Sequence, residues 1–145
     1  MNKQNKKIEK ELTIKSTTDN LVLVREFTRR AAIESSLPDD FTEKIILAVD
    51  EACTNVIKHA YKFSPEGDIF ISISVDSSKF IISITDSGVH FNPNLIPEPD
   101  IKQYHKEKKI GGLGMFLMKK LMDEVRYTSV SGNKNQVELV KYLTR

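Results

Sequence analysis

No disulfide can close within this chain, because Cys53 is its only cysteine. That usage fits a reducing compartment, so a cytoplasmic location is expected. No apolar run approaches the roughly 20 residues of a membrane-spanning helix, and no membrane contact is expected. Residues 1–10 are basic and polar and lack the apolar centre of a secretory signal. One cysteine and three scattered histidines do not supply a structural zinc site. No Gly-x-x-x-x-Gly-Lys-Ser/Thr segment is present, and no glycine fingerprint follows an early strand, which argues against P-loop and dinucleotide-binding folds. No Ser/His/Asp set is legible. The net charge is only +2 and no basic stripe interleaves with aromatic residues, so direct nucleic-acid binding is not expected. Internal repeats and low-complexity blocks are also missing.

What remains is an ordinary globular composition, 39% hydrophobic and 29% charged over 145 residues. That length suits one domain, residues 1–145, with a single core and a flexible tail at 1–6. Residues 7–15 alternate, with Ile8, Leu12 and Ile14 on one side, and read as a strand. Asp19 and Asn20 are cap-type residues before a helix running to about Ser36, which Pro38 stops. Asp39 or Asp40 caps a second helix to about Tyr61, and Ser64-Pro65-Glu66-Gly67 reads as a turn. Two alternating strands follow, Ile69 to Val75 and Phe80 to Thr85, joined by the short connection Asp76-Ser77-Ser78. Residues 87–110 hold three prolines and no clear period, as a functional or mobile loop would. A helix over about Gly112 to Met122, a short strand near Val125 to Val130 and a strand from Gln136 to Leu143 complete the chain. The pattern predicts an α+β fold: a two-layer sandwich with a mixed, mostly antiparallel sheet covered on one face by three helices.

Three segments carry candidate chemistry. On the second helix, Phe41, Ile45, Val49, Ala52, Val56 and Ala60 share a stripe expected to face the sheet. Cys53 falls on the apolar side and reads as core. Glu51 and Asn55 stand off that stripe one turn apart, with Lys58 beside them and His59 one turn further. An amide oxygen is a hard ligand suited to Mg²⁺, and a carboxylate one turn away can accept a proton. A solvated helix face often carries such a pair by chance. Leu47, one turn before Glu51, suggests that something covers this side.

Asp86 continues the series Phe80, Ile82, Ile84, so it should point toward the helices, where a carboxylate needs donors. An adenine amino group is one such donor, and Gly88 would leave room for a flat base near the backbone. A strand-end Asp closing an Asx-turn gives the same pattern. Gly111-Gly112-Leu113-Gly114 opens a helix, where backbone N–H groups favour phosphate, although a hinge needs glycines equally. Lys106, Lys108 and Lys109 lie just upstream, within reach of phosphates or simply solvated.

Taken in order, these motifs resemble those of the gyrase/heat-shock-chaperone/histidine-kinase/MutL ATPase superfamily. Glu51-x-x-x-Asn55 resembles its N box, Asp86-x-Gly88 its first glycine box, and Gly112-x-Gly114 its second. Asp50-Glu51-Ala52-Cys53-Thr54-Asn55, His59-Ala60-Tyr61, Gly111 to Gly114 and Leu121-Met122-Asp123-Glu124-Val125 are similar to the anti-sigma-factor serine kinases of the RsbW type. The resemblance covers nearly the whole chain and implies a Bergerat-type ATP-binding fold with a lid at residues 92–110. It implies ATP and Mg²⁺ as cofactors, Glu51 as general base, Asn55 as Mg²⁺ ligand and Asp86 as the adenine contact. Gly88, Lys58, His59, Gly112, Leu113 and Gly114 would belong to the nucleotide pocket, and Arg25 would contact a protein partner. It further implies a homodimer that sequesters a sigma factor and phosphorylates a STAS-type anti-sigma-factor antagonist on serine. In the wider superfamily the first glycine box often continues to a second glycine, where this chain has His90.

Two other readings use the same motifs. One is an ATP-binding partner-switching module that sequesters without significant turnover. The other is a histidine-kinase-like catalytic domain, against which stands the expectation that no helical segment with a phosphorylatable histidine precedes it in 145 residues.

Overall fold

Alternation along the strands decides how the layers stack. In the computed structural model, which describes residues 7–90, 114–130 and 133–143, five strands form one sheet. They are β1 (Ile8–Lys15), β2 (Asp68–Val75), β3 (Lys79–Asp86), β4 (Glu124–Val130) and β5 (Lys134–Tyr142), in the order β1-β2-β3-β5-β4. All four pairings are antiparallel, so the described sheet contains no parallel pair. Three helices, α1 (Leu21–Glu34), α2 (Asp39–Asn55) and α3 (Gly114–Leu121), accompany it. The expected tail at 1–6, the whole of the lid at 92–110 with its three lysines, and Gly112 and Leu113 lie outside the described residues.

Register turns the sequence alternation into continuous apolar rows. Leu12, Ile71, Ile84, Val137 and Tyr127 are successive cross-strand partners on the inner face. Ile73, Ile82, Leu139 and Val125 form the next row, which ends at Lys10 on the edge strand β1. Ile71, Ile73, Ile82, Ile84 and Leu139 are buried. Burial of one such side chain is worth about 1.5–3 kcal/mol relative to exposure. The outer face carries Ser72, Ser74, Ser83 and Thr85, which are only partly covered. β-Branched residues dominate the inner face of β2 and β3, as a pleated, half-buried surface favours.

The helices bury matching stripes. From α1 these are Leu21, Val24, Thr28, Ala31 and Ala32; from α2, Ile45, Ala48, Val49, Ala52 and Cys53. Small residues at Ala31, Ala32, Ala48 and Ala52 permit close approach. Helix α2 lies between α1 and α3 and packs on both. Two ion pairs, Arg25–Asp50 at 2.7 Å and Arg29–Glu43 at 2.6 Å, cross from α1 to α2. Leu47 remains 40% exposed between their acidic members. No described helix is long and apolar enough to cross a membrane.

Helix boundaries differ from the sequence expectation in three places. A 3₁₀ turn, Thr18–Asn20, precedes α1, and the Asn20 side chain donates to the Lys15 carbonyl at 3.0 Å instead of capping the helix. Asp39 and Asp40 lie inside the first turn of α2, where they complement the helix dipole. Pro38 supplies the extended N-cap conformation, and its carbonyl accepts from the Thr42 N–H at 3.0 Å. Finally, α2 does not continue regularly to Tyr61. After Asn55 it widens into a π-helical segment, Val56–Ala60, with Tyr61 N–H donating to the Val56 carbonyl at 3.0 Å.

Helix α1 ends before Pro38 exerts any effect. The Ser36 N–H donates to the Ile33 carbonyl at 3.0 Å and the Leu37 N–H to the Ala32 carbonyl at 3.1 Å, a Schellman arrangement. It places Ser36 at φ 58°, a left-handed conformation that a Cβ disfavours. Ser36→Gly should therefore raise unfolding stability by about 1 kcal/mol, read as a higher urea midpoint with an unchanged slope. A lower midpoint would show that the serine is not strained there.

Candidate functional site

One row of the sheet departs from the apolar rule. Ile14, Ile69, Asp86, Asn135 and Ser129 are successive inner-face partners, so the row turns polar from β3 onward. Asp86 is only 4% exposed, as its place after Phe80, Ile82 and Ile84 implies. Its Oδ1 accepts from the Gly88 N–H at 2.9 Å, which closes an Asx-turn. The same oxygen accepts from Asn135 Nδ2 at 3.0 Å. Thus the Asx-turn is present, and the carboxylate that closes it points inward as the strand alternation implies.

Across from this row stands the end of α2. Asn55 Nδ2 is buried and has no hydrogen-bond partner among the described residues. A buried amide donor without a partner costs about 1–3 kcal/mol, so a ligand that accepts from it gains correspondingly. Glu51, one turn earlier, is half-buried. Its carboxyl is pushed above the usual range, first by burial and then by the Asp50 charge, while Lys58 pulls it back. Lys58 and His59 lie in the π-helical segment. Burial, with the Lys58 charge second, holds the His59 imidazole below its ordinary value.

Between sheet and helices lies a cavity of about 90 Å³. Ala52, Val56, Met118 and Val137 give it apolar walls, and Asn55, Asp86, His90 and Asn135 give it polar groups. An apolar slot with a few convergent polar groups suits a flat base carrying a polar edge. The structure therefore brings Asn55 and Asp86 together. Glu51, Lys58, His59, Gly88 and Arg25 do not line this cavity. Arg25 instead pairs with Asp50, the neighbour of Glu51. Gly114 opens α3, while Gly112 and Leu113 are among the residues not described.

Gly88 requires a different explanation from the one its sequence context suggests. A Cβ there would meet the Ala60 carbonyl oxygen at 2.5 Å and its carbon at 2.7 Å. The Val89 N–H donates to that same oxygen at 2.8 Å. The glycine is thus needed for backbone docking on the π-helical segment. Tyr61 reinforces the junction: its hydroxyl donates to the Asp68 carbonyl at 2.6 Å and accepts from the Ser87 N–H at 2.8 Å. Its ring occupies the space over Gly67, where a Cβ would fall 2.4 Å from Cε1.

Sequence reading missed Asn135, Met118 and Tyr127, all of which line the cavity. Asn135 becomes significant only when β5 pairs with β3, which sets it opposite Asp86. Burial pushes the Tyr127 hydroxyl up to about 12, so it stays neutral. Cys53 is fully buried and burial drives its thiol to about 12 as well, which makes it an inert core residue.

The unpartnered Asn55 amide generates a stability prediction. Asn55→Leu, of similar shape, should stabilise the ligand-free protein by about 1 kcal/mol, measured by urea unfolding, because it removes an unsatisfied buried donor. Destabilisation would mean that Asn55 is already satisfied without a ligand.

Comparison with known proteins bears on the same geometry. The family model for the histidine kinase-like ATPase domain matches residues 14–141. The chain is 36% identical to the serine-protein kinase RsbW of Bacillus subtilis (strain 168) over 109 residues, which cover 72% of this chain and 66% of that protein. It is 30% identical to the RsbW of Bacillus velezensis over 138 residues, covering 92% of this chain and 84% of that one. A Mycobacterium tuberculosis crystal structure of RsbU and RsbW domains shares the fold, with a TM-score of 0.67 at 17% identity. That likeness covers 95% of this chain and 33% of the other. The chain belongs to the histidine kinase-like ATPase domain family and, within it, to the RsbW-type serine-protein kinases.

Proposed function

We propose that this protein binds Mg-ATP in the cavity between α2 and the β3–β5 strands, sequesters a sigma factor, and phosphorylates a STAS-type antagonist of that sequestration on serine. The observation that carries this reading is the placement of Asn55, whose Nδ2 has no partner among the described residues, and the buried carboxylate Asp86 in one apolar-walled cavity. Asp86 uses Oδ1 for its internal bonds, so Oδ2 is the oxygen offered to an adenine amino group. The residues also fit Mg²⁺: Asn55 offers an amide oxygen as a hard ligand and an Nδ2 donor for a phosphate oxygen. When bound, Mg²⁺ would neutralise phosphate charge.

In the transfer step the substrate serine oxygen attacks the γ-phosphorus. A new P–O bond forms, the bond between the γ-phosphorus and its bridging oxygen breaks, and ADP leaves. The serine proton passes to Glu51. Partial burial suits Glu51 to this role, because a carboxylate with a raised pKa is a stronger base. A homodimer with a partner-contacting Arg25, acting in the cytoplasm, completes the proposal. The Arg25–Asp50 ion pair lies next to Glu51 in the chain, so a partner that takes up Arg25 would release a charge beside the base.

Glu51→Gln should slow phosphotransfer to the antagonist by about 10²–10⁴-fold with ATP still bound. Glu51 must be ionised to accept a proton, so wild-type transfer should rise with pH. Its midpoint should lie above the ordinary glutamate value of about 4.3, because burial raises this carboxyl. The acidic limb should vanish in Glu51→Gln. Full transfer by that variant would remove Glu51 from the base role and favour sequestration without turnover. Asp86→Asn should weaken ATP binding by about 1.5–3 kcal/mol by calorimetry, the range for a hydrogen bond to a charged group. An unchanged affinity would place the base elsewhere. The function itself is tested by capturing the tagged protein from its own cells with Mg-ATP and mapping phosphosites on what is captured. A sigma factor and a small protein newly phosphorylated on serine are expected. Acid-labile phosphohistidine would overturn the serine-kinase reading.

A further inference from the structure

The inner face of β5 departs from the apolar rule a second time, at the end of the strand remote from the cavity. The inner-face row Ile8, Val75, Phe80 continues on β5 at Lys141, and both Val75 and Phe80 are buried. Alternation calls for an apolar side chain there, as at the buried Val137 and Leu139 on the same face. Lys141 instead carries an ammonium into the helix layer and uses it twice. Its Nζ donates to the Leu121 carbonyl at 2.9 Å and lies 5.4 Å from the centre of the Phe41 ring. Leu121 is the last residue of α3, so its carbonyl is one that the helix itself leaves unbonded, and a cation suits that end of the helix dipole. Phe41 stands in the first turn of α2. One side chain thus joins the end of α3 to the start of α2.

The residues beside Lys141 hold the chain just after the helix. The Asp123 N–H donates to the Val140 carbonyl at 2.9 Å, and Asp123 Oδ2 accepts from the Tyr142 N–H at 2.7 Å. Those bonds fix the approach to β4, and the Lys141 bond reaches further, onto the helix. At 8 residues, α3 is too short to be stable without such attachments. Met118 lies within the same last turn as Leu121, about 4.5 Å of helix rise away. Its carbonyl accepts from the Met122 N–H at 3.0 Å, and its buried side chain forms part of the cavity wall.

We infer that Lys141 is a positioning residue for nucleotide binding: it clamps α3 to α2 and so sets the cavity wall that Met118 contributes, while lying outside the cavity itself. Without the clamp, α3 populates positions in which that wall is displaced, and the apparent affinity falls with the fraction of molecules still competent to bind. The inference rests on the nucleotide reading of the cavity, and goes beyond it by assigning part of the affinity to a lysine that touches no ligand.

The test measures Mg-ATP affinity by calorimetry on the full chain, beside urea unfolding and hydrogen exchange of the α3 amides. Lys141→Met keeps the apolar stem and removes the ammonium. It should weaken Mg-ATP binding by about 5-fold, the factor one net hydrogen bond supplies, and speed exchange of the α3 amides in the free protein. Lys141→Arg keeps the charge, the donors and the stacking on Phe41, and should stay within about 2-fold of wild type. Phe41→Leu takes away the ring and leaves the lysine, and should weaken binding by a smaller factor, which keeps the test open if the methionine variant folds poorly. A merely structural role would lower the urea midpoint of Lys141→Met and leave the affinity of the folded protein unchanged, which would overturn the inference. Equal weakening in the arginine and methionine variants would also overturn it, because the cation would then play no part. Failure of wild type to bind Mg-ATP would instead overturn the nucleotide reading, and the inference with it.

Discussion

A carboxylate on the inner face of a sheet is the constraint around which the rest of this site is arranged. Asp86 occupies the position where the apolar series of β3 would next place an isoleucine or a phenylalanine. Burying it without donors would cost several kcal/mol. The structure supplies two, a backbone N–H two residues on and an amide from the neighbouring strand. Both demands propagate. The first forces a tight turn whose Gly88 then docks on the Ala60 backbone, and the second requires β5 to pair with β3 in a register that brings Asn135 opposite.

The π-helical segment belongs to the same arrangement. Had α2 continued as a regular helix to Tyr61, the carbonyl of Ala60 and the ring of Tyr61 would not meet the end of β3 as they do. The wider turn lets one carbonyl, that of Ala60, receive the Val89 N–H, and lets one hydroxyl, that of Tyr61, join the start of β2 to the end of β3. The helix that carries Glu51 and Asn55 is thus tied to the end of the central strand that carries Asp86, by a backbone contact at Ala60 and by the Tyr61 hydroxyl. Rigid support of this kind is what a binding site needs to hold its polar groups in place before a ligand arrives.

Against this rigid frame, two groups on α2 are held at a local cost. Asn55 has a buried donor with no partner among the described residues, and Glu51 is lifted by burial. Natural sequences keep such local costs where function requires them. The contrast with Cys53 is instructive. It is buried more deeply, yet it sits on the apolar side of α2, and its thiol is held neutral by the core.

How much of this was legible beforehand follows from the range of each interaction. Strand alternation and helix periodicity are local, so the α+β class, the inward direction of Asp86 and the buried stripe of α2 could be read from residue spacing. The Glu51/Asn55 pair on one helical face could be read the same way. Caps were less legible, because Pro38 and the left-handed Ser36 bound the helices where acidic and polar neighbours looked equally suited. What only the tertiary structure decided depends on contacts across long stretches of chain: the Asp86–Asn135 pairing spans 49 residues of sequence. The docking of Gly88 on Ala60 likewise depends on two elements meeting in space, with no pattern of residues to announce it. Spacing alone determined which side chains face inward, since the backbone period dictates that. Which of them meet was decided by register and packing, since those are fixed only when the sheet and helices close on one another.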